Sequence, residues 1–401
     1  MRCVAAIVGL ISMGWAAPVL AQALDYVPLS DSEVVMQLPP AVVTLANGLR
    51  ASAAAVSAEQ VSDPTAQKRQ LLQQILTSYR LAVTENDLRA YGHTLTLADR
   101  WPSDWEQPPL LHLVKAAVLQ HNHLFSLAQE ELNLILEVDP QNLQALVMRS
   151  QIGLVTGDYA AVARQCELLR NLRETLPALN CQTQLDGLTG RGEQALAVIE
   201  VTVSSGGLSA AELLELHITA ATIAHRLALP EQAERHYQAA LGLDTNNHYV
   251  LVNYVDWLTD QGRNKEALKL LVGREDTHTD LELKLIHARI LVSAEPSPSV
   301  ATLLQEIDQE IIAASQRGED APHKLIARYA LDLRFDPEQA CEAALRNWSL
   351  QKEPSDILLL ARAAAADGDL KILHRLQEFR DRTGLQDYRL DAVLQGAGVV
   401  P

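Results

Sequence analysis

Three histidines near one predicted turn are the residues whose type and spacing could bind a metal. His121 and His123 are two residues apart in that turn, and His112 lies in the preceding predicted helix. Two turn histidines and a carboxylate can supply the nitrogen and oxygen ligands that a zinc ion takes. The spacing matches no familiar metal site, and turns often carry histidine. We therefore expect no metal site and no cofactor.

Two cysteines in consecutive predicted helices could form a disulfide. Cys166 and Cys181 flank the connection at 174–179, which would place two antiparallel helices side by side. A disulfide needs Cα atoms within about 7 Å of each other. The alternative is a pair of buried thiols in helix contacts. Cys341 is expected to remain unpaired and packed in its own helix.

The sequence shows no motif of a known class of enzyme. It has no G-x-S-x-G sequence, no phosphate-binding glycine loop and no H-E-x-x-H helix. The cysteines occupy predicted packing positions, which are unsuitable for a nucleophile. Carboxylates are common on the predicted helix surfaces, so no pair of them indicates a reaction. We expect the protein not to be an enzyme.

The start of the chain has the features of a secretory signal. Arg2 precedes an apolar run at 4–15, and Ala21-Gln22-Ala23 is a cleavage sequence. Cleavage after Ala23 predicts a periplasmic or secreted protein, most simply in a bacterium. The run is too short to anchor the chain, and no other segment is apolar for the roughly 20 residues that cross a bilayer. We therefore expect no stable membrane insertion.

The chain is strongly acidic. It has 33 basic and 50 acidic residues, and loss of Arg2 with the signal changes the net charge from −17 to −18. This charge disfavours nucleic acids and anionic membranes as partners, and it suits a basic protein or a cationic peptide. Surplus acid also keeps a long helical protein soluble without any partner.

One chemical pattern recurs about every 34 residues between 110 and 271. Small or medium residues mark one position of the pattern: Ala128, Val162, Ala195, Ala233 and Ala267. Twelve residues earlier stand five further small or medium residues: Ala116, Ser150, Thr183, Ala221 and Val255. Gly157, Gly190 and Gly262 precede three markers by five residues, where a turn between helices favours positive φ. Such a period indicates stacked helical hairpins, because one hairpin cannot bury its apolar face alone.

The repeat resembles the tetratricopeptide repeat. The small residues, the turn Thr156-Gly157-Asp158-Tyr159 and the Asp139-Pro140 opening of the next helix carry the resemblance. It is good over 110–271 and weak outside. It implies an all-α fold, in which antiparallel helix pairs form a right-handed superhelical solenoid whose inner groove is lined by the first helix of each pair.

The resemblance implies a binding groove. Its lining positions carry amides, acids and basic side chains that can bind an extended backbone and basic groups: Gln151, Asn180, Gln184, His225, Arg226, Asp256 and Asp260. We expect a non-enzymatic adaptor that binds a protein or peptide in the bacterial envelope. The alternatives are a structural subunit of an envelope transport or polymer-export assembly, and an enzyme on a helical-repeat scaffold.

The pattern also divides the chain into segments. We expect a signal peptide at 1–23, an extended leader at 24–40, N-terminal helices with a degenerate repeat at 41–108, core repeats at 109–273, degenerate helix pairs at 274–384 and a tail at 385–401. The serine and glycine residues at 204–207 lengthen one repeat. The whole is expected to form one elongated, curved domain.

Overall fold

The computed structural model describes residues 64–85, 88–173, 175–274, 277, 280–294, 298–316 and 323–399. These residues form α-helices joined by short connections and contain no β-strand, which confirms the predicted all-α class. The predicted signal peptide, the leader and a predicted helix at 41–57 lie outside the described residues. Contacts divide the described chain into two units, with the boundary between Leu111 and His112.

The first unit contains two helices, α1 (Pro64–Glu85) and α2 (Leu88–Ala98). α1 begins at a proline because the first helical position needs no backbone N–H donor. The two helices pack through a buried apolar face, and the rings of Tyr79 and Tyr91 meet edge to face with centroids 6.5 Å apart. This is the helical hairpin that the sequence predicts after residue 63.

The second unit begins with five helix pairs, the first of which starts just before the boundary. They are α3 (Pro109–His121) with α4 (Phe125–Val138), α5 (Leu143–Thr156) with α6 (Tyr159–Asn171), α7 (Thr175–Leu188) with α8 (Gly192–Ser205), α9 (Ala210–Arg226) with α10 (Pro230–Leu243), and α11 (His248–Asp260) with α12 (Asn264–Leu271). All ten helices lie in the segment at 109–273 that the sequence predicts as core repeats.

The repeat positions explain how the pairs pack. All five marker residues are at most 1% exposed, and the five residues twelve positions earlier are at most 3% exposed. Gly157, Gly190 and Gly262 have φ of +78°, +82° and +70°, as a turn with a left-handed residue requires. Close approach matters inside helices too, since a Cβ on Gly187 would lie 2.5 Å from Ile223.

The remaining helices complete the second unit. They are α13 (Leu281–Ala294), α14 (Pro298–Gln316), α15 (His323–Tyr329), α16 (Pro337–Leu350), α17 (Pro354–Asp367), α18 (Leu370–Thr383) and α19 (Tyr388–Gly396). A π-helical turn at Ala330–Arg334 follows α15 where the sequence predicts a continuous helix. The predicted tail at 385–401 contains helix α19, because burial of Leu390 and Leu394 holds that helix in the core.

The main apolar core joins distant parts of the sequence. It combines α5, α6 and α7 with α15 to α19. Tyr159 contacts Phe379 with ring centroids 6.3 Å apart, and Phe379 in turn packs on Trp348 at 5.0 Å. The C-terminal helices therefore return to the second and third repeats.

A disulfide joins Cys166 in α6 to Cys181 in α7, whose Cα atoms are 5.4 Å apart. Cys341 is free and buried in α16. Among the helices described, none is both long enough and apolar enough to cross a membrane.

Candidate functional site

The first helices of consecutive repeats line a cavity of about 230 Å³ in the second unit. Four of the seven predicted groove residues lie in its wall: Gln151, Asn180, Gln184 and Arg226. Asn180 and Gln184 are four residues apart on α7, so both side chains lie on one helix face. The same reasoning applies to α9, where Glu215, Thr219, Thr222 and Arg226 follow steps of four, three and four residues.

Arg226 is the most deeply buried charge of the cavity wall. Arg226 is 7% exposed, and its Nη2 donates a hydrogen bond of 2.8 Å to the carbonyl oxygen of Gly187. Nε has no hydrogen-bond partner within the described residues. Burial lowers the pKa of the guanidinium, with Asp387 opposing that effect. Both Asp387 oxygens already accept hydrogen bonds from Arg389.

Two carboxylates line the same cavity. Glu215 accepts a hydrogen bond of 2.8 Å from Nδ2 of Asn180, and burial raises the pKa of Glu215. Burial and the neighbouring Asp356 raise the pKa of Glu353 to about 7. Oδ1 of Asn180 lacks a hydrogen-bond partner among the described residues. The wall therefore offers a donor, an acceptor and two acidic groups to a ligand.

Glu353 reaches the cavity because the segment before α17 is tied to the end of α5. The backbone N–H of Lys352 donates to the carbonyl oxygen of Val155 at 2.6 Å, and its Nζ donates to the carbonyl oxygen of Thr156 at 3.2 Å. The last carbonyl groups of a helix lack partners within the helix, and a cation there is favourable. Lys352 thus fixes Glu353 and Pro354 in the cavity wall.

The predicted groove residue Asp256 pairs with basic side chains from later in the chain. It accepts two hydrogen bonds from Nη2 of Arg328, at 2.8 and 3.0 Å, and one from Arg289 at 3.1 Å. Burial opposes ionisation of this carboxyl group, but the two arginines outweigh it and lower the Asp256 pKa to about 2.

Asp260 and His225 pair with α19. Nη1 of Arg389 donates to Nε2 of His225 at 3.0 Å and to Asp260 at 3.3 Å. Nδ1 of His225 lies 3.3 Å from the hydroxyl oxygen of Tyr237. Burial, reinforced by the charge of Arg389, lowers the pKa of His225 despite the nearby Asp260 carboxylate, which favours a neutral ring whose Nε2 accepts from the arginine.

The structure thus separates the predicted groove residues into two sets. Gln151, Asn180, Gln184 and Arg226 line the cavity, whereas His225, Asp256 and Asp260 bind arginines of the same chain. Sequence reasoning missed Glu353 and Tyr249 in the cavity wall. Helical periodicity indicates which face a residue occupies, but it carries no signal for contacts between distant segments of the chain.

The histidines near the α3–α4 turn make contacts of their own. Nδ1 of His112 lies 2.6 Å from Glu131, which also accepts a hydrogen bond of 2.9 Å from Lys115. The ring of His123 packs edge to face on Phe125. Within the described ranges, no group of three or more histidine, cysteine or acidic residues is arranged to hold a metal ion.

Comparison with known proteins gives no family assignment. No family model matches the sequence, and no curated protein matches it. Among solved structures, the chain is similar to yeast Tom70 with 12% identity and a TM-score of 0.25, over 84% of this chain and 90% of that chain. So low a score supports no conclusion about fold or function, and the architecture rests on the helices described above.

Proposed function

We propose that the protein is a non-enzymatic adaptor that binds a short segment of a protein partner in the cavity of the second unit. The main support for this proposal is Arg226, a buried cation in the cavity wall that forms no ion pair with a carboxylate of the described residues and whose Nε has no hydrogen-bond partner there. Burying an unpaired charge costs several kcal/mol unless a partner group supplies the opposite charge. A site that keeps such a group is a candidate for ligand binding.

The neighbouring side chains suit a polypeptide. The amides of Gln151, Asn180 and Gln184 can donate and accept hydrogen bonds, and so can the hydroxyl groups of Thr219 and Thr222. These are the groups that an extended backbone needs. The volume of about 230 Å³ limits the bound part to a few residues, since typical ligand pockets measure roughly 300–1,000 Å³.

We place this adaptor in a bacterial envelope. The support is the sequence at 1–23, with its basic start, apolar run and Ala21-Gln22-Ala23 cleavage sequence. A disulfide in the second unit is compatible with an oxidising compartment. Separation of periplasm from cytoplasm, with detection of the processed chain, tests the location.

Selection from a random peptide library tests binding, with immobilised protein as bait. Thr222→Trp would fill the cavity, because Thr222 lines it. We expect selected peptides to bind the wild type and to lose at least about tenfold in affinity for this variant. Val201→Trp is the matched control, because Val201 is 72% exposed on α8. Equal affinity for both variants would place the site elsewhere, and the recovery of no binding peptide would contradict the proposal.

A structural subunit is the second candidate, and the outer surface favours it. Leu134, Leu168 and Val201 each stand six residues after a repeat marker and are 48%, 43% and 72% exposed. Equivalent positions in consecutive repeats form a row along a repeat array. Single exposed apolar residues are common, but a repeated one suits a lateral contact. Replacement of all three by glutamate would abolish co-purification of an assembly while leaving peptide binding intact.

A further inference from the structure

Arg226 differs from the other deeply buried basic side chains of the described residues. Arg226, Lys284 and Arg328 are the three lysines or arginines that are less than a tenth exposed there. Lys284 pairs with Glu310, and Arg328 pairs with Asp256. Arg226 has a backbone carbonyl as its hydrogen-bond partner and an unpartnered Nε. The fold thus supplies a carboxylate to two of the three cations and leaves one for a ligand.

Glu353 is the complementary case among the acids. It lies next to Asp356, which is 1% exposed, whereas Glu353 itself is half-buried. The basic group nearby is Lys324, whose Nζ lies 3.9 Å from Asp356 and 3.9 Å from Glu282. One lysine therefore faces three acids, and Glu353 forms no ion pair in the described part of the chain.

We propose that the bound segment carries one acidic and one basic group close together, with its carboxylate on Arg226 and its basic group on Glu353. This inference rests on the proposed function and names the chemistry of its ligand. Each ligand charge would pair with a protein charge that forms no ion pair among the described residues. Asn180 and Gln184 would hold the backbone between them, and the carboxylate could be a side chain or a free C-terminus.

The site predicts selectivity for mixed charge. A ligand with only an acidic group leaves Glu353 unpaired, and a ligand with only a basic group leaves Arg226 unpaired. Leaving one member of a buried charge pair without its partner typically costs more than tenfold in affinity. Charge selectivity of this kind distinguishes the inference from a groove that binds any extended backbone.

Five synthetic octapeptides of alanine and serine test the inference by fluorescence anisotropy. Four have blocked ends and carry adjacent glutamate and lysine, glutamate alone, lysine alone, or neither. The fifth carries lysine beside a free C-terminal carboxylate. We expect at least one of the two mixed-charge peptides, the first or the fifth, to bind at least about tenfold more tightly than either blocked single-charge peptide. The fifth peptide identifies which source of carboxylate is used.

Variants test whether Arg226 and Glu353 cause this charge preference. Arg226→Gln should remove the advantage of glutamate, and Glu353→Gln should remove the advantage of lysine. Arg226→Lys should retain part of the glutamate effect, and thermal melts monitored by circular dichroism show whether each variant folds. A preference unchanged in folded Arg226→Gln and Glu353→Gln proteins would overturn the inference.

The two proposals can fail separately. If library-selected peptides bind with sensitivity to Thr222→Trp but neither mixed-charge peptide has an advantage, the charge assignment is wrong and the cavity remains the binding site. If neither the library nor the octapeptides yield binding, the proposed function itself is wrong.

Discussion

At the scale of single residues, the interior contains charges that are paired and charges that are not. Asp256 has two arginine partners, whereas Glu353 has another carboxyl group beside it. The pKa of Asp256 is lowered to about 2, whereas the pKa of Glu353 is raised to about 7. Binding sites often keep such unfavourable charges at a cost in stability.

Glu353 should therefore destabilise the free protein at neutral pH. Its pKa in the folded state exceeds that in the unfolded state, so stability falls as the pH rises from about 4.5 through 7. We expect Glu353→Gln to raise the free energy of unfolding at pH 8 by about 1–2 kcal/mol, and to have little effect at pH 4. Urea denaturation at both values measures this.

Glu342→Gln is the control for that experiment. Glu342 is an exposed carboxylate paired with Arg346 four residues later, and such pairs contribute only about 0.3–0.5 kcal/mol. A Glu353→Gln protein that is no more stable than the wild type at pH 8 would show that ionised Glu353 does not destabilise the folded protein.

The sequence correctly predicts which residues share a helix face, but it does not predict which residues form ion pairs. Helical spacing correctly places Asn180 and Gln184 together, because that relation is local. The partners of Asp256 and Asp260 are Arg328 and Arg389, which lie 72 and 129 residues later. Charge reversal at Asp256 and Asp260 would thus break contacts within the chain, and it is a poor test of partner binding.

At the scale of elements, the helices of the repeats were predictable because their pattern is periodic. Small residues at fixed positions, turn glycines and helix-starting prolines give the bounds of α3 to α12 to within a few residues. The π-helical turn at Ala330–Arg334 and helix α19 were not predictable. Both depend on contacts with distant helices, such as the ion pair of Asp332 with Arg362 and the burial of Leu394.

The disulfide between α6 and α7 should stabilise the second unit. It closes a loop with a sequence separation of 15 residues, which corresponds to about 3 kcal/mol in the chain-entropy description. We expect reduction to lower the free energy of unfolding by about 2–3 kcal/mol in a Cys341→Ala background. Urea denaturation with and without reductant measures the change.

The matched control is a Cys166→Ala, Cys181→Ala protein, which should not respond to reductant. If the parent with both cysteines shows the same denaturation midpoint in either condition, the bond does not form or does not contribute. A mass measurement that shows whether Cys166 and Cys181 are free thiols would distinguish a bond that does not form from one that does not stabilise the protein.

At the scale of the whole molecule, the C-terminal helices of the second unit pack against the first helices of the repeats. Arg328 ties α15 to α11, Arg389 ties α19 to α9 and α11, and Lys352 ties the start of α17 to α5. These contacts occupy some of the predicted groove residues, whereas the cavity around Arg226 stays open to a ligand.

Loss of one such tie should weaken the second unit. Asp256→Asn leaves Arg328 and Arg289 without a strong acceptor, and we expect a loss of about 2–4 kcal/mol in unfolding free energy at pH 7. The Asp256 pKa is lowered on folding, so its contribution is present above about pH 4 and is lost as the pH falls toward 2. Denaturation curves at pH 7 and pH 2.5 should therefore differ for the wild type more than for the variant. A loss of less than about 0.5 kcal/mol in unfolding free energy at pH 7 would mean that the ion pairs of Asp256 do not stabilise the packing of these helices.

If the partner segment binds in the cavity formed by the first helices of the repeats, it should protect backbone amides there. Hydrogen exchange monitored by mass spectrometry, with and without a library-selected peptide, measures this protection. We predict slower exchange at 151–155, 180–188, 215–226, 247–249 and 353–354 in the bound protein. Slower exchange confined to α4, α6 and α8 around Leu134, Leu168 and Val201 would contradict it.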